Sequence, residues 1–306
     1  SFDRVEDAAS AVSEIIAAGI LPAALELCDQ RFVEIMEAPL PSGYPTDKAA
    51  ILIVELDGEP DGVAREVPAL ERLLRRWDPA LRTASDAPQR AALWAGRLAA
   101  GFALRATGKA FYICDSTVPR QRIPEMMARS RELAASYGLD VPIVGHAGDG
   151  NLHPTVLYEP GQLAAVEAFA EGIADAALAL GGTLTGEHGI GTAKRAQMRR
   201  AFGPVELAAF RAIKRAFDPD GLLNPAVMLP SPGRDEPDLK AFGDNVTAAL
   251  TGKQAASPPP LLRAVCGAEV DVDIENLSLA AGGIALCRDV AAAARAVGLS
   301  CPAMEA

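Results

Sequence analysis

The pair Asp149-Gly150 stands between two apolar runs, Val141-Pro-Ile-Val-Gly-His and Leu152-His-Pro-Thr-Val-Leu-Tyr. Asp-Gly is a strong short-range hairpin signal, because both central residues of the favoured tight turn need positive φ. An antiparallel pair is therefore expected there, and with it a sheet that cannot be purely parallel. Placing 149 and 150 at the turn sets 148 opposite 151, 147 opposite 152, and His146 opposite His153. Opposed residues share a face with Cβ atoms about 4.5–5.5 Å apart, so two imidazoles could share one divalent ion. A slip of one residue would send the two rings to opposite faces. Ordinary hydrogen bonding in a Gly/Asn-rich turn is the alternative.

The rest of the chain is consistent with such a sheet. Helical spacing predicts helices over 3–18, 63–76, 87–106, from Pro119/Pro124 to Tyr137, over 162–180, 193–201 and 204–216, with a short one from Pro22 to Cys28. Strands are predicted over 48–56, 110–114 and the two hairpin runs. This is an α+β pattern: an antiparallel or mixed sheet with flanking helices, best placed on one face. Residues 1–230 form the main domain. Residues 231–260 read as a linker that includes Ser257-Pro-Pro-Pro260, and 261–306 as an Ala-rich tail with no assignment.

Charge and cysteine usage narrow the partners. Lys plus Arg is 29 and Asp plus Glu is 40, for a net charge of -11, which argues against a nucleic-acid backbone. A small anion in a local basic pocket remains compatible. Five cysteines without a CxxC fit a reducing compartment, and no run of 18 apolar residues predicts a membrane span. The first residues are polar and unlike a signal peptide, although the chain does not begin with Met, so processing or a fragment is expected.

All three histidines, His146, His153 and His188, fall within 43 consecutive residues. The third sits in Gly181-Gly-Thr-Leu-Thr-Gly-Glu-His-Gly-Ile-Gly191, which matches neither a dinucleotide fingerprint nor a P-loop. Adjacent residues on extended chain point opposite ways, so one of Glu187 and His188 could ligate a metal while the other faces a substrate. His146, His153 and Glu187 would supply two imidazoles and a carboxylate, with positions open for water or substrate. His188 suits acid–base work near neutral pH. The bland reading is a flexible loop with a solvated Glu187.

At these residues the chain resembles a known family. GHAGDGNLHP, GGTLTGEHGIGTAKR and FDPDGLLNPAVMLP, in that order, are similar to the C-terminal half of FAD-linked 2-hydroxyacid dehydrogenases. That group holds glycolate oxidase flavoprotein subunits, D-lactate dehydrogenases and D-2-hydroxyglutarate dehydrogenases, within the vanillyl-alcohol oxidase superfamily. The resemblance covers about residues 1–230 and implies a ferredoxin-like cap domain that binds substrate. It implies His146, His153 and Glu187 as ligands of a divalent metal (Zn, Mn or Fe), and His188 as the base that takes the hydroxyl proton. It implies Arg97 as the grip on the substrate carboxylate, Asn151 as a residue lining the site, and Asn224 as a residue near the flavin. Taken alone, Arg97 would read as a surface helix charge and Asn224 as a helix-end turn.

Three departures qualify the likeness. The family's N-terminal FAD-binding domain has no counterpart here, so FAD would come mainly through a domain outside this chain. The usual LNPG reads Leu223-Asn-Pro-Ala226. Phe111-Tyr-Ile-Cys-Asp115 lacks the lysine that meets a second carboxylate, which leans toward glycolate or lactate. The expected activity is oxidation of a small 2-hydroxy acid to the 2-oxo acid by hydride transfer to flavin. Expected partners are the 2-hydroxy acid, an FAD-binding domain or oxidase subunits in trans, and, as an open option, a second copy of the chain. The expected location is cytoplasmic, with peripheral membrane association left open. A truncated remnant that binds metal or a partner but no flavin, and a metallohydrolase using the same three ligands, remain as alternatives.

Overall fold

The computed structural model describes residues 1–240, 243–244 and 247–248. The end of the proposed linker and the proposed tail, with Ser257-Pro-Pro-Pro260, lie outside the described residues. The chain divides into two compact units, Ser1–Gly189 and Ile190–Ala306.

The first unit is an antiparallel sheet flanked by helices. Its elements are α1 (Val5–Ala17), β1 (Ala24–Asp29), α2 (Gln30–Glu37), β2 (Ala50–Glu55), α3 (Pro60–Leu74), α4 (Ala87–Leu98) and α5 (Ala100–Ala106). Then come β3 (Ala110–Ile113), β4 (Ser116–Thr117), α6 (Ile123–Tyr137), β5 (Ile143–His146), β6 (Asn151–Tyr158) and α7 (Leu163–Ala179). The strands run in the order β2-β1-β5-β6-β3, every pairing antiparallel, with β4 also paired to β6.

Helices cover both faces of this sheet, not one. Leu25, Leu27, Ile143, Leu152 and Val156 pack with α1, α6 and α7. Cys28, Ile51, Val144 and Leu157 point the other way and pack with α2 and α5. The cause is visible along β1 and β6, where almost every residue is buried. A strand buried on both sides loses the apolar–polar alternation that marks a half-solvated sheet.

The short helix expected over 22–28 is instead strand β1. The helix starts one element later, because Asp29 caps it: its Oδ1 accepts the Phe32 N–H at 2.9 Å. Helix α6 ends as expected, with Gly138 at φ 63°. The second unit is described by itself. It contains α8 (Met198–Ala201) and α9 (Pro204–Phe217). Residues 193–197 form turns rather than the start of a longer helix. Asp218 accepts the N–H groups of Leu222 and Leu223 at 2.9 and 3.0 Å, which folds the chain back just before Asn224.

Candidate metal and substrate site

The β5–β6 hairpin forms, but with another register. His146 pairs with Asn151 and Val144 with His153. Residues Ala147–Asp149 make a single 3-10 turn closed by Gly150 at φ 75°, so the loop is longer than the two residues expected. The shift is two residues, and an even shift preserves the face. His146 and His153 become diagonal neighbours on the α2/α5 side, with ring centroids 5.4 Å apart.

Both rings are oriented from behind. His146 Nδ1 lies 2.6 Å from Glu26 Oε1, and His153 Nδ1 lies 3.2 Å from the Cys114 carbonyl oxygen. Each bond leaves Nε2 facing forward. His146 Nε2 is 3.4 Å and His153 Nε2 is 3.0 Å from the same atom, Glu187 Oε1. Tetrahedral ligands at Zn–N distances of 2.0–2.1 Å sit about 3.3 Å apart, close to both of these distances, and all three donor atoms lie within 4.8 Å of one another. An acceptor behind each histidine is the usual support for metal-bound imidazole. The donor chemistry therefore fits a divalent ion with two nitrogens and one oxygen.

Titration follows the same contacts. The Glu26 hydrogen bond holds His146 above the ordinary histidine range. Burial pushes His153 below it, toward the neutral form that ligates metal. Burial pushes Glu26 up, but His146 and Arg97 outweigh that and hold it below the ordinary carboxylate range.

Glu187 and His188 are delivered by a loop built around Asp115. The Asp115 carboxylate accepts the N–H groups of Gly186 at 3.0 Å and His188 at 2.9 Å, the N–H of Glu187, and the Thr185 hydroxyl. His188 stacks on His153 with centroids 5.0 Å apart and planes 13° from parallel. Its Nε2 stands 3.7 Å from Glu187 Oε1. Asp115, His153 and His188 also lie close enough to hold an ion. With both Asp115 oxygens already engaged by the loop, His146, His153 and Glu187 are the better set.

Asn151 is buried beside this cluster, and its Oδ1 has no partner among the described residues. Gly186 packs against it so closely that a Cβ there would lie 2.5 Å from the Asn151 Cγ. Arg97 reaches the site from the last turn of α4, and its Nε donates to Glu26 Oε2 at 2.9 Å. It is thus separated from His146 by one carboxylate. A cavity of about 360 Å³ opens at the same edge, bordered by Leu21, Glu26, Arg120 and His146. A larger apolar cavity lies between β2, α3 and α4 and touches none of the histidines. Asn224 belongs to the second unit, where it adopts φ 42° and its carbonyl accepts the Val227 N–H.

Sequence reasoning did not single out Glu26 or assign Asp115 a role. Asp115 follows a strand signal and Glu26 sits mid-strand, and each acts on residues at least 70 positions away. A charged residue inside an otherwise apolar run, as in Ala24-Leu-Glu-Leu-Cys, was the available signal for Glu26.

Comparison with known proteins adds a family. Residues 1–228 match the family model described as FAD linked oxidases, C-terminal domain. The chain is 40% identical over 235 residues to glycolate oxidase subunit GlcD of Escherichia coli (strain K12), covering 76% of this chain and 47% of that protein. GlcD of Bacillus subtilis (strain 168) is 37% identical over 238 residues, at 76% and 50% coverage. A probable mitochondrial D-lactate dehydrogenase of Danio rerio is 31% identical, at 75% and 47% coverage. The chain thus spans about half the length of these relatives. Among solved structures, p-cresol methylhydroxylase with substrate bound superposes with a TM-score of 0.54 at 15% identity, covering 74% of this chain and 50% of that one. The 4-ethylphenol oxidase of Gulosibacter chungangensis reaches 0.56 at 15% identity, at 76% and 53% coverage. At that identity these two show the fold alone.

Proposed function

This chain belongs to the family of C-terminal domains of FAD-linked oxidases, and from that premise we propose that it is the substrate-binding half of an FAD-dependent oxidoreductase acting on a small 2-hydroxy acid. Glycolate and D-lactate are the favoured substrates, in keeping with the names of the relatives. The observation that carries the reading is the convergence of His146 Nε2, His153 Nε2 and Glu187 Oε1, one carboxylate away from the Arg97 guanidinium.

In this reading Arg97 anchors the substrate carboxylate, for which a planar guanidinium is suited. That directs the 2-hydroxyl toward the histidine cluster. A divalent ion held by His146, His153 and Glu187 would polarise that oxygen. His188, half-exposed and stacked on His153, receives the hydroxyl proton at Nε2, while bound flavin supplies the acceptor for the hydride leaving C2. With flavin bound as the two-electron acceptor, the products would be the 2-oxo acid and a proton on His188. The buried Asn151 amide lines the same side. Asn224 is assigned to the flavin side of the complete enzyme. FAD itself would be held mainly by an FAD-binding domain or partner subunit. No helix among the described residues is long and apolar enough to cross a membrane.

The test is metal and substrate binding by the full chain. One zinc or manganese ion per chain should bind, and His153→Ala or Glu187→Ala should abolish it. D-lactate or glycolate binding should be lost in Arg97→Ala. In a complete flavoenzyme, His188→Ala should abolish turnover while substrate still binds. A chain that binds neither metal nor 2-hydroxy acid would refute the assignment.

A further inference from the structure

Glu26 is 6% exposed and sits on the middle of three consecutive strands, between β2 and the hairpin. A desolvated carboxylate is costly unless its oxygens are engaged, and both are. Oε1 faces His146 Nδ1 at 2.6 Å, and Oε2 accepts from Arg97 Nε at 2.9 Å, with Arg97 Nη2 ion-paired to the same oxygen at 2.9 Å. An ionised carboxylate only accepts hydrogen bonds, so the proton of a neutral His146 must sit on Nδ1. The lone pair is then on Nε2, the nitrogen facing Glu187.

The arginine side is equally constrained. The Arg97 N–H donates to the Tyr44 hydroxyl at 3.2 Å, which in turn donates to the Leu93 carbonyl. Gly96 lies flush against the Tyr44 ring, where any Cβ would overlap it. These contacts fix the last turn of α4 so that Arg97 reaches β1. With Nε and Nη2 turned to Glu26, Nη1 has no hydrogen bond among the described residues. The edge of the guanidinium that includes Nη1 is therefore left for a second carboxylate.

The geometry points to Glu26 as a positioning residue that serves both halves of the site at once. It sets the His146 tautomer for metal binding, and it presents Arg97 with its Nη edge open to a substrate carboxylate. At His153 the corresponding acceptor is a backbone carbonyl, which no side-chain change can remove. At His146 it is a side chain, so the sequence controls it. This inference rests on the metal-site reading for its first consequence, but the tautomer does not require a metal.

Two measurements on the full chain test it. Zinc affinity by competition with a chromophoric chelator should fall 10–100-fold in Glu26→Leu, which leaves no acceptor for the His146 Nδ1–H; that is the usual effect of losing the partner behind a metal-bound histidine. His146→Ala is the reference for a lost ligand, and far-UV circular dichroism confirms that each variant is folded. A folded Glu26→Leu that binds zinc within threefold of wild type would overturn the role. The second measurement needs no variant to fold: long-range 1H–15N spectra of the metal-free wild type, at a pH where the ring is neutral, should show His146 protonated on Nδ1. An Nε2–H tautomer would overturn the role as well. If the wild type binds no zinc but shows the Nδ1–H tautomer, the metal reading fails and the positioning role of Glu26 stands.

Discussion

Substituting Asp115 by Asn tests whether the loop that carries Glu187 and His188 is held by one buried carboxylate. Asp115 is 2% exposed and accepts from Gly186, Glu187, His188 and the Thr185 hydroxyl. An amide keeps the shape but has one acceptor oxygen and a donor NH2. The less damaging orientation keeps oxygen toward His188 and Thr185, and turns NH2 against the Gly186 N–H. That removes one charge-assisted bond, sets two donors face to face, and weakens the remaining bonds by removing the charge. Hydrogen bonds to charged groups contribute about 1.5–3 kcal/mol each, so a net loss of roughly 2–4 kcal/mol is expected. For a unit of this size that lowers Tm by roughly 4–16 °C. Glu187 would lose its fixed place, and zinc affinity should fall at least about tenfold. Thermal unfolding followed by circular dichroism and chelator competition read the two effects separately. An Asp115→Asn protein with wild-type Tm and wild-type zinc affinity would refute the account of the loop.

Three further outcomes follow from the same geometry. Gly150→Ala forces a side chain into positive φ and drives its Cβ into the Val118 carbonyl oxygen, so chemical denaturation should show a loss of about 2–5 kcal/mol. Zinc at 100 times its dissociation constant should stabilise the wild type by about 2.7 kcal/mol and should leave His153→Ala unchanged, as measured by Tm with and without chelator. Burial lifts the Asp29 carboxyl from its ordinary 3.8 to about 6. Below pH 4 the group is protonated in both states, and between about 4 and 6 the folded chain keeps a proton that the unfolded chain has lost. Its contribution to stability therefore falls as pH rises through that window, by about 3 kcal/mol. Asp29→Asn, which retains an oxygen to cap α2, should remove that component from urea titrations run at pH 4 to 7. An unchanged difference between the two proteins across the window would count against it.

What was legible in the sequence follows from how local each signal is. The hairpin was readable because its turn, its strands and both histidines lie within a few residues of one another. Helices α3, α6, α7 and α9 were readable from apolar spacing and from stops such as Gly138 and Gly181, both at positive φ. Strand β1 differs from the helix expected there because Leu25, Leu27 and Cys28 are buried on opposite faces, so the run shows no alternation, and Pro22 imitates a helix start. The same double burial explains why local pattern does not reveal helices on both sides of the sheet.

The site shows the difference more sharply. The expected pairing of His146 with His153 was wrong by two residues, yet both rings still meet Glu187, because strand faces repeat every two residues and only an odd slip would have parted them. The convergence of these candidate ligands was thus insensitive to the error that turn prediction makes most easily. The supporting groups had no such protection. Glu26 reaches His146 across 120 residues, and Asp115 reaches the Glu187 loop across about 70, through strand neighbours that no local pattern specifies. Candidate ligands that lie close in sequence can be brought together from spacing. The acceptors that aim them arise from sheet order, and only the fold shows that β1 lies beside β5 with a carboxylate at the crossing point.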